Sequence, residues 1–138
     1  MHLLRQAMTS CSTLTFSIQY RMHPEISVLP SKVFYDSRLK DGPDMDKKTV
    51  AVWHKKPIFG PYHFINVNGV ESKAGMSTKN TEEAQVAVDL FRNLKQQFGS
   101  RVNLEMRVGV ITMYREQLNE LKRRFQDAFG RQILDTIE

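Results

Sequence analysis

The stretch Val108-Gly109-Val110-Ile111-Thr112-Met113-Tyr114-Arg115-Glu116-Gln117 decides the fold. A short apolar run, Val108 to Thr112, has the form of a buried parallel strand, and helix-forming residues follow almost at once. Leu118, Leu121, Phe125 and Ala128 then recur at helical spacing, with Lys122, Arg123 and Arg124 outward and Gly130 as a stop. Upstream, Asn80 is a natural N-cap and Glu83 stands where a capping box needs it. Ala87, Leu90, Phe91, Leu94 and Phe98 form an apolar stripe up to Gly99. Residues 62–67 and 133–137 read as two further strands. Strand, helix, strand, helix, strand predicts an α/β fold, a parallel sheet flanked by helices, with function at the carboxyl ends of its strands.

The N-terminal part extends the pattern. Thr13-Leu14-Thr15-Phe16-Ser17-Ile18 alternates polar and apolar as a strand does, and Pro24 suits the first position of a helix. Residues 36–61 contain Gly42, Pro43, Pro57, Gly60 and Pro61 and read as a long irregular loop, and residues 68–79 as another. Asp41, Asp44 and Asp46 read as solvated loop charges. Trp53, beside His54, Lys55 and Lys56, suits either base stacking or anchoring of the loop.

The 138 residues suffice for one domain. No apolar run reaches the roughly 18 residues a membrane span needs. The N-terminus lacks the apolar stretch of a secretory signal, and Cys11 is the only cysteine. The expectation is a reducing compartment, cytosol or nucleus, with no membrane partner. Of the net charge of +5, residues 92–131 carry nine Lys/Arg against four Asp/Glu, while the remainder holds eleven of each sign. A basic C-terminal third suits a surface that faces phosphates, and equally a solvated helix face.

Three segments carry candidate chemistry. Gln19-Tyr20-Arg21-Met22-His23-Pro24 places an aromatic ring beside a guanidinium where a strand meets a helix, a pairing that suits a base and a phosphate. Half-buried packing gives the same pair, and the residues alone leave both readings open. Thr112, with the helix start after it, offers a hydroxyl and free N–H groups to a phosphate, or is an ordinary cap. Asp135-Thr136 marks a third strand end. His2, His23, His54 and His63 lack metal-ligand spacing. There is no G-x-x-x-x-G-K-[ST] loop and no Asp-Glu pair to hold magnesium, so the expectation is that the chain alone hydrolyses no nucleotide.

Taken together, Gln19 to Pro24, Glu25-Ile26-Ser27, Val33-Phe34-Tyr35, Leu39-Lys40-Asp41-Gly42-Pro43, Asn80 to Ala84, Val108 to Gln117 and Asp135-Thr136 resemble, in order, the second RecA-like domain of superfamily 1 helicases of the Upf/senataxin group. The Leu-Lys-Asp-Gly-Pro stretch and Trp53-His54 resemble the senataxin-like branch. The resemblance implies a RecA-like, P-loop NTPase-type fold over residues 13–138, incomplete at its C-terminus, after an N-terminal remnant at 1–12. It implies an ATP-dependent motor moving 5′ to 3′ on single-stranded RNA or DNA, with ATP and Mg2+ bound against a first RecA-like domain that this sequence does not contain. By position, Gln19, Tyr20 and Arg21 would meet the nucleotide, Tyr20 stacking on adenine and Arg21 acting as arginine finger on the γ-phosphate. Thr112, Tyr114, Gln117 and Thr136 would contact nucleic acid. The senataxin-like branch implies a nuclear location, with the cytoplasm left open. The sequence departs from the family at Met113, where Pro is usual, at Ile137-Glu138, and in lacking the Phe-Gln-Gly-x-Glu that should follow. With sheet neighbours missing, the isolated chain is expected to be marginal or aggregation-prone. A non-catalytic nucleic-acid-binding or regulatory module derived from such a lobe is the alternative.

Overall fold

The computed structural model describes residues 17–104 and 107–136. They fall into two units, one ending at His63 and the other starting at Phe64. The first unit is a strand–helix–strand arrangement. Strand β1 (Ile18–Gln19) pairs in parallel with β2 (Lys40–Asp41), Ile18 opposite Lys40 and Gln19 opposite Asp41. Residues 13–16 of the strand expected at 13–18, like the segment 1–12 and Cys11, lie outside the described residues.

Helix α1 (Pro24–Phe34) makes the crossover. Pro24 occupies its first turn, where a missing N–H costs nothing, and His23 Nδ1 accepts the Glu25 N–H at 3.2 Å as its N-cap. Its buried face is unusual in being hydroxylic. Ser27 Oγ donates to Asp41 Oδ1 at 2.6 Å, and Ser31 Oγ to the Leu39 carbonyl at 2.9 Å, which docks the helix on β2. Val28, Leu29, Val33 and Phe34 are exposed. The expectation of an irregular loop over 36–61 is corrected in part. Besides β2 the segment holds a one-turn helix α2 (Met45–Lys48), with Met45 buried, and two 3₁₀ turns at Val52–Lys55 and Pro57–Phe59.

The second unit begins with a hairpin where a loop was expected. Strands β3 (Glu71–Ala74) and β4 (Ser77–Asn80) pair antiparallel, Glu71 opposite Asn80 and Ala74 opposite Ser77. The two-residue turn places Gly75 first, at φ 62°, as a type II′ turn requires. Helix α3 (Thr81–Phe98) follows, capped by Asn80, whose side chain accepts the Glu82 and Glu83 N–H groups at 3.1 and 3.0 Å. Helix α4 (Arg115–Phe129) packs against it.

The core of this unit is the seam between these helices. Ala84, Val88, Phe91, Leu94 and Phe98 are buried, a stripe one step from the expected one, with Ala87 and Leu90 at its half-buried rim. Leu121 and Phe125 face it, and Leu104 and Ile133 close it. The rings of Phe91, Phe125 and Phe129 form a cluster with centroids 5.1 to 5.7 Å apart, in tilted and edge-on arrangements that aromatic quadrupoles favour. Leu118 is only half-buried and Ala128 exposed, whereas Gln117 and Glu120 are buried.

Three expected strands are corrected. Residues 62–67 form no ladder, Val110 makes one isolated bridge, and Arg131–Thr136 coils into a 3₁₀ helix, Ile137 of the strand expected at 133–137 lying outside the described residues. An apolar run becomes a parallel strand only where neighbours take up its N–H and C=O groups. Among the described residues no strand flanks these runs. The fold class stands: a mixed α/β chain with a parallel strand pair and flanking helices, as in a RecA-like helicase domain. No helix among the described residues is long and apolar enough to cross a membrane.

Candidate functional site

In the first unit, the Gln19 side chain builds the turn that follows β1. Its Oε1 accepts the N–H groups of Arg21 at 2.9 Å and Met22 at 2.7 Å, and its Nε2 donates to the Met22 carbonyl at 2.9 Å. Nε2 also donates to Asp41 Oδ1, the carboxylate oxygen that holds Ser27. Every polar group of the carboxamide is therefore occupied within the protein, and residues 20–22 are fixed in shape. Asp41, expected as a solvated loop charge, is exposed but stands on β2, and its carboxylate links that strand to both the turn and α1.

The two residues on the outside of that turn point to solvent. Tyr20 is 66% exposed, with part of its ring lying over Gly42. Arg21 is exposed, and among the described residues its guanidinium makes no ion pair or hydrogen bond. An unpaired guanidinium beside an open aromatic ring is an arrangement that can meet a base and a phosphate.

Near this turn, His23 and His54 stand edge to face with centroids 6.1 Å apart. Each Nδ1 accepts a backbone N–H, from Glu25 and from Ala51, which places the ring proton of the neutral form on Nε2. Burial first, and then the His23 charge, pushes the His54 pKa down, while Glu25 opposes. Trp53 is half-buried and edge-on to His54, so it anchors the 3₁₀ turn.

In the second unit, Thr112, Tyr114 and Gln117 meet in one cavity of about 310 Å3 with Lys79, Glu83 and Ile111. Thr112 Oγ1 accepts the Tyr114 N–H at 3.3 Å, and Ser77 Oγ caps α4 from the hairpin by accepting the Glu116 N–H at 3.3 Å. Tyr114 is 54% exposed; Ile111 and Met113 are also open to solvent. Gln117 differs from its neighbours. It is buried, and both ends of its carboxamide bond the Asn80 backbone. Thr136 ends the last 3₁₀ helix, and its side chain lies outside the described residues.

The basic third is partly neutralised from within. Buried Glu120 receives Lys79 at 3.2 Å, Arg123 at 2.6 Å and Arg124 at 2.6 Å, and Arg124 also donates to Gln85 at 2.6 Å. Arg123 is the main cause that holds the Glu120 carboxyl at about 2; burial opposes, and Arg124 and Lys79 add to the depression. Arg124 is thus turned inward rather than outward. Glu120 escaped the sequence reading, although its spacing to Arg123 and Arg124, three and four residues on, was a signal for it.

These features have counterparts in known proteins. A family model described as an AAA domain, AAA_12, a region of Upf/senataxin-type superfamily 1 helicases, matches residues 1–138. The chain belongs to that family. Helicase sen1 of Schizosaccharomyces pombe is 49% identical to this helicase domain over 123 residues, 88% of the chain and 7% of the relative. Helicase SEN1 of Saccharomyces cerevisiae is 36% identical over 130 residues, 92% of the chain and 6% of the relative. The probable helicase senataxin of Homo sapiens is 28% identical over 131 residues, 91% of the chain and 5% of the relative. The helicase domain described here thus spans less than a tenth of the length of each of these three.

Proposed function

We propose that this domain is the second RecA-like lobe of an ATP-dependent helicase that moves 5′ to 3′ on single-stranded RNA or DNA. The observation that carries the reading is the turn at 19–22: Gln19 spends its carboxamide on the backbone, and Tyr20 and Arg21 are left outward. Tyr20 stacks on the adenine. Arg21 reaches the γ-phosphate across a cleft completed by a first RecA-like domain and neutralises charge that develops as the phosphoryl group leaves. Gln19 acts behind them by shaping the turn.

The residues present fit one side of a nucleotide. They offer a ring and a guanidinium but no set of metal ligands: among the described residues, no three His, Cys, Asp or Glu side chains come together. Mg2+ accompanies the phosphates and is held by residues of the other lobe, so this domain alone is inactive.

In the second unit, the Thr112 hydroxyl, just before the start of α4, suits a backbone phosphate. The exposed Tyr114 ring suits an unstacked base. Thr136 is proposed to contact the strand as well, and the location proposed is nuclear. The alternative, a binding module without catalysis, has no observation in its favour beyond the basic surplus.

Direction and activity are tested on the full-length helicase carrying this segment. Duplexes with a 5′ single-stranded overhang are expected to be unwound with ATP, and those with a 3′ overhang are not. Unwinding from the 3′ overhang, or strand binding that ATP never affects, contradicts the reading.

A further inference from the structure

Gly42 is buried directly under the Tyr20 ring. A Cβ at position 42 would stand 2.2 Å from Tyr20 Cε1 and 2.3 Å from Cδ1, distances no real contact reaches. The backbone there does not demand glycine, because the φ of Gly42 lies outside the left-handed region. The requirement is for empty space under the ring.

The strand end cannot yield to make that space. Its N–H groups are bonded on both sides of Asp41: Lys40 N–H to the Ser17 carbonyl at 2.7 Å and Gly42 N–H to the Gln19 carbonyl at 2.8 Å. Asp41 itself holds Gln19 and Ser27. Tyr20, by contrast, is mostly exposed and joined to the protein by two rotatable side-chain bonds. A side chain at 42 therefore moves the ring and leaves the strand in place.

We propose that the strand end Lys40-Asp41-Gly42 is the seat of the nucleobase-stacking ring, with Gly42 the positioning residue that lets Tyr20 lie there. Asp41 fixes the turn from beneath through Gln19, and Gly42 fixes the ring by leaving room for it. Affinity for the base of the nucleotide is thereby set by a residue that never touches it. The inference rests on the reading of Tyr20 as the adenine-stacking residue.

The test is a double-mutant cycle in the full-length helicase, with Gly42→Ala, Tyr20→Ala and the pair together. Gly42→Ala is expected to raise KM for ATP about 10-fold, the order expected when one aromatic–base stack is lost, with kcat and melting temperature unchanged. Tyr20→Ala is expected to do the same. The pair is expected to be no worse than Tyr20→Ala alone, because no ring remains to be displaced. An equal cost of Gly42→Ala in both backgrounds, or a normal KM in Gly42→Ala beside a raised one in Tyr20→Ala, overturns the seat. A normal KM in Tyr20→Ala overturns the stacking reading instead. The seat is then judged by a structure of the Gly42→Ala helicase: a ring swung away from the strand end upholds it, and a ring still in place refutes it.

Discussion

The side chain of Gln117 and the backbone of Asn80 exchange two hydrogen bonds: the Asn80 N–H donates to Gln117 Oε1 at 2.7 Å, and Gln117 Nε2 donates to the Asn80 carbonyl at 3.1 Å. Both residues are buried. The carboxamide thus imitates a strand neighbour for the residue where β4 hands over to α3, and it ties that junction to the first turn of α4. It also takes the place of half a capping box. Asn80 caps Glu83 as expected, but the return bond to the Asn80 N–H comes from Gln117, 37 residues away.

Gln117→Ala is therefore expected to destabilise the second unit, because it strands a buried N–H and a buried carbonyl at a cost of about 1–3 kcal/mol. Denaturant unfolding of the full-length helicase, followed in this domain, reads the change. Unaltered stability with weakened strand binding would instead make Gln117 a direct nucleic-acid contact.

Glu120 gives the second unit an acid-sensitive point. Its carboxyl lies at about 2 in the folded state against an ordinary 4.5, so the folded form holds its proton less tightly than the unfolded one. The stabilisation is complete above the ordinary value and fades as pH falls from about 4.5 towards 2. Glu120→Gln is expected to be less stable at pH 7 and to lose less stability than the parent between pH 5 and about 2. Parallel acid-unfolding curves for the two proteins would place the acid sensitivity elsewhere.

Much of this was legible in the sequence where local chemistry decides the structure. The Asn80 cap, the helices after it and after Tyr114, and the Pro24 start are set by residues within a turn or two of one another, and each stands where expected. The strands at 62–67, 108–112 and 133–137 were not, because pairing depends on a neighbour that a run of Val and Ile cannot specify. The hairpin at 71–80 was hidden by its polarity: Glu71-Ser72-Lys73 and Ser77-Thr78-Lys79 show no alternation, and only Gly75 marks the turn. At the candidate site, Tyr20 and Arg21 were legible as a motif. The devices behind them were not, since Asp41 and Gly42 lie more than 20 residues away and are brought to the turn by the parallel pairing. Gln117 was read as a contact for the strand because its type and place suit one; its burial is a tertiary fact.

The most direct measurement of the central claim is steady-state ATP turnover by the full-length helicase with Arg21→Ala, alongside its affinity for a single strand. An exposed guanidinium that completes the phosphate site only in the transition state predicts a fall in kcat of about 10³ to 10⁵, with strand affinity largely retained. Turnover equal to that of the parent would remove Arg21 from the reaction, and with it the reading of this domain as the second half of the motor.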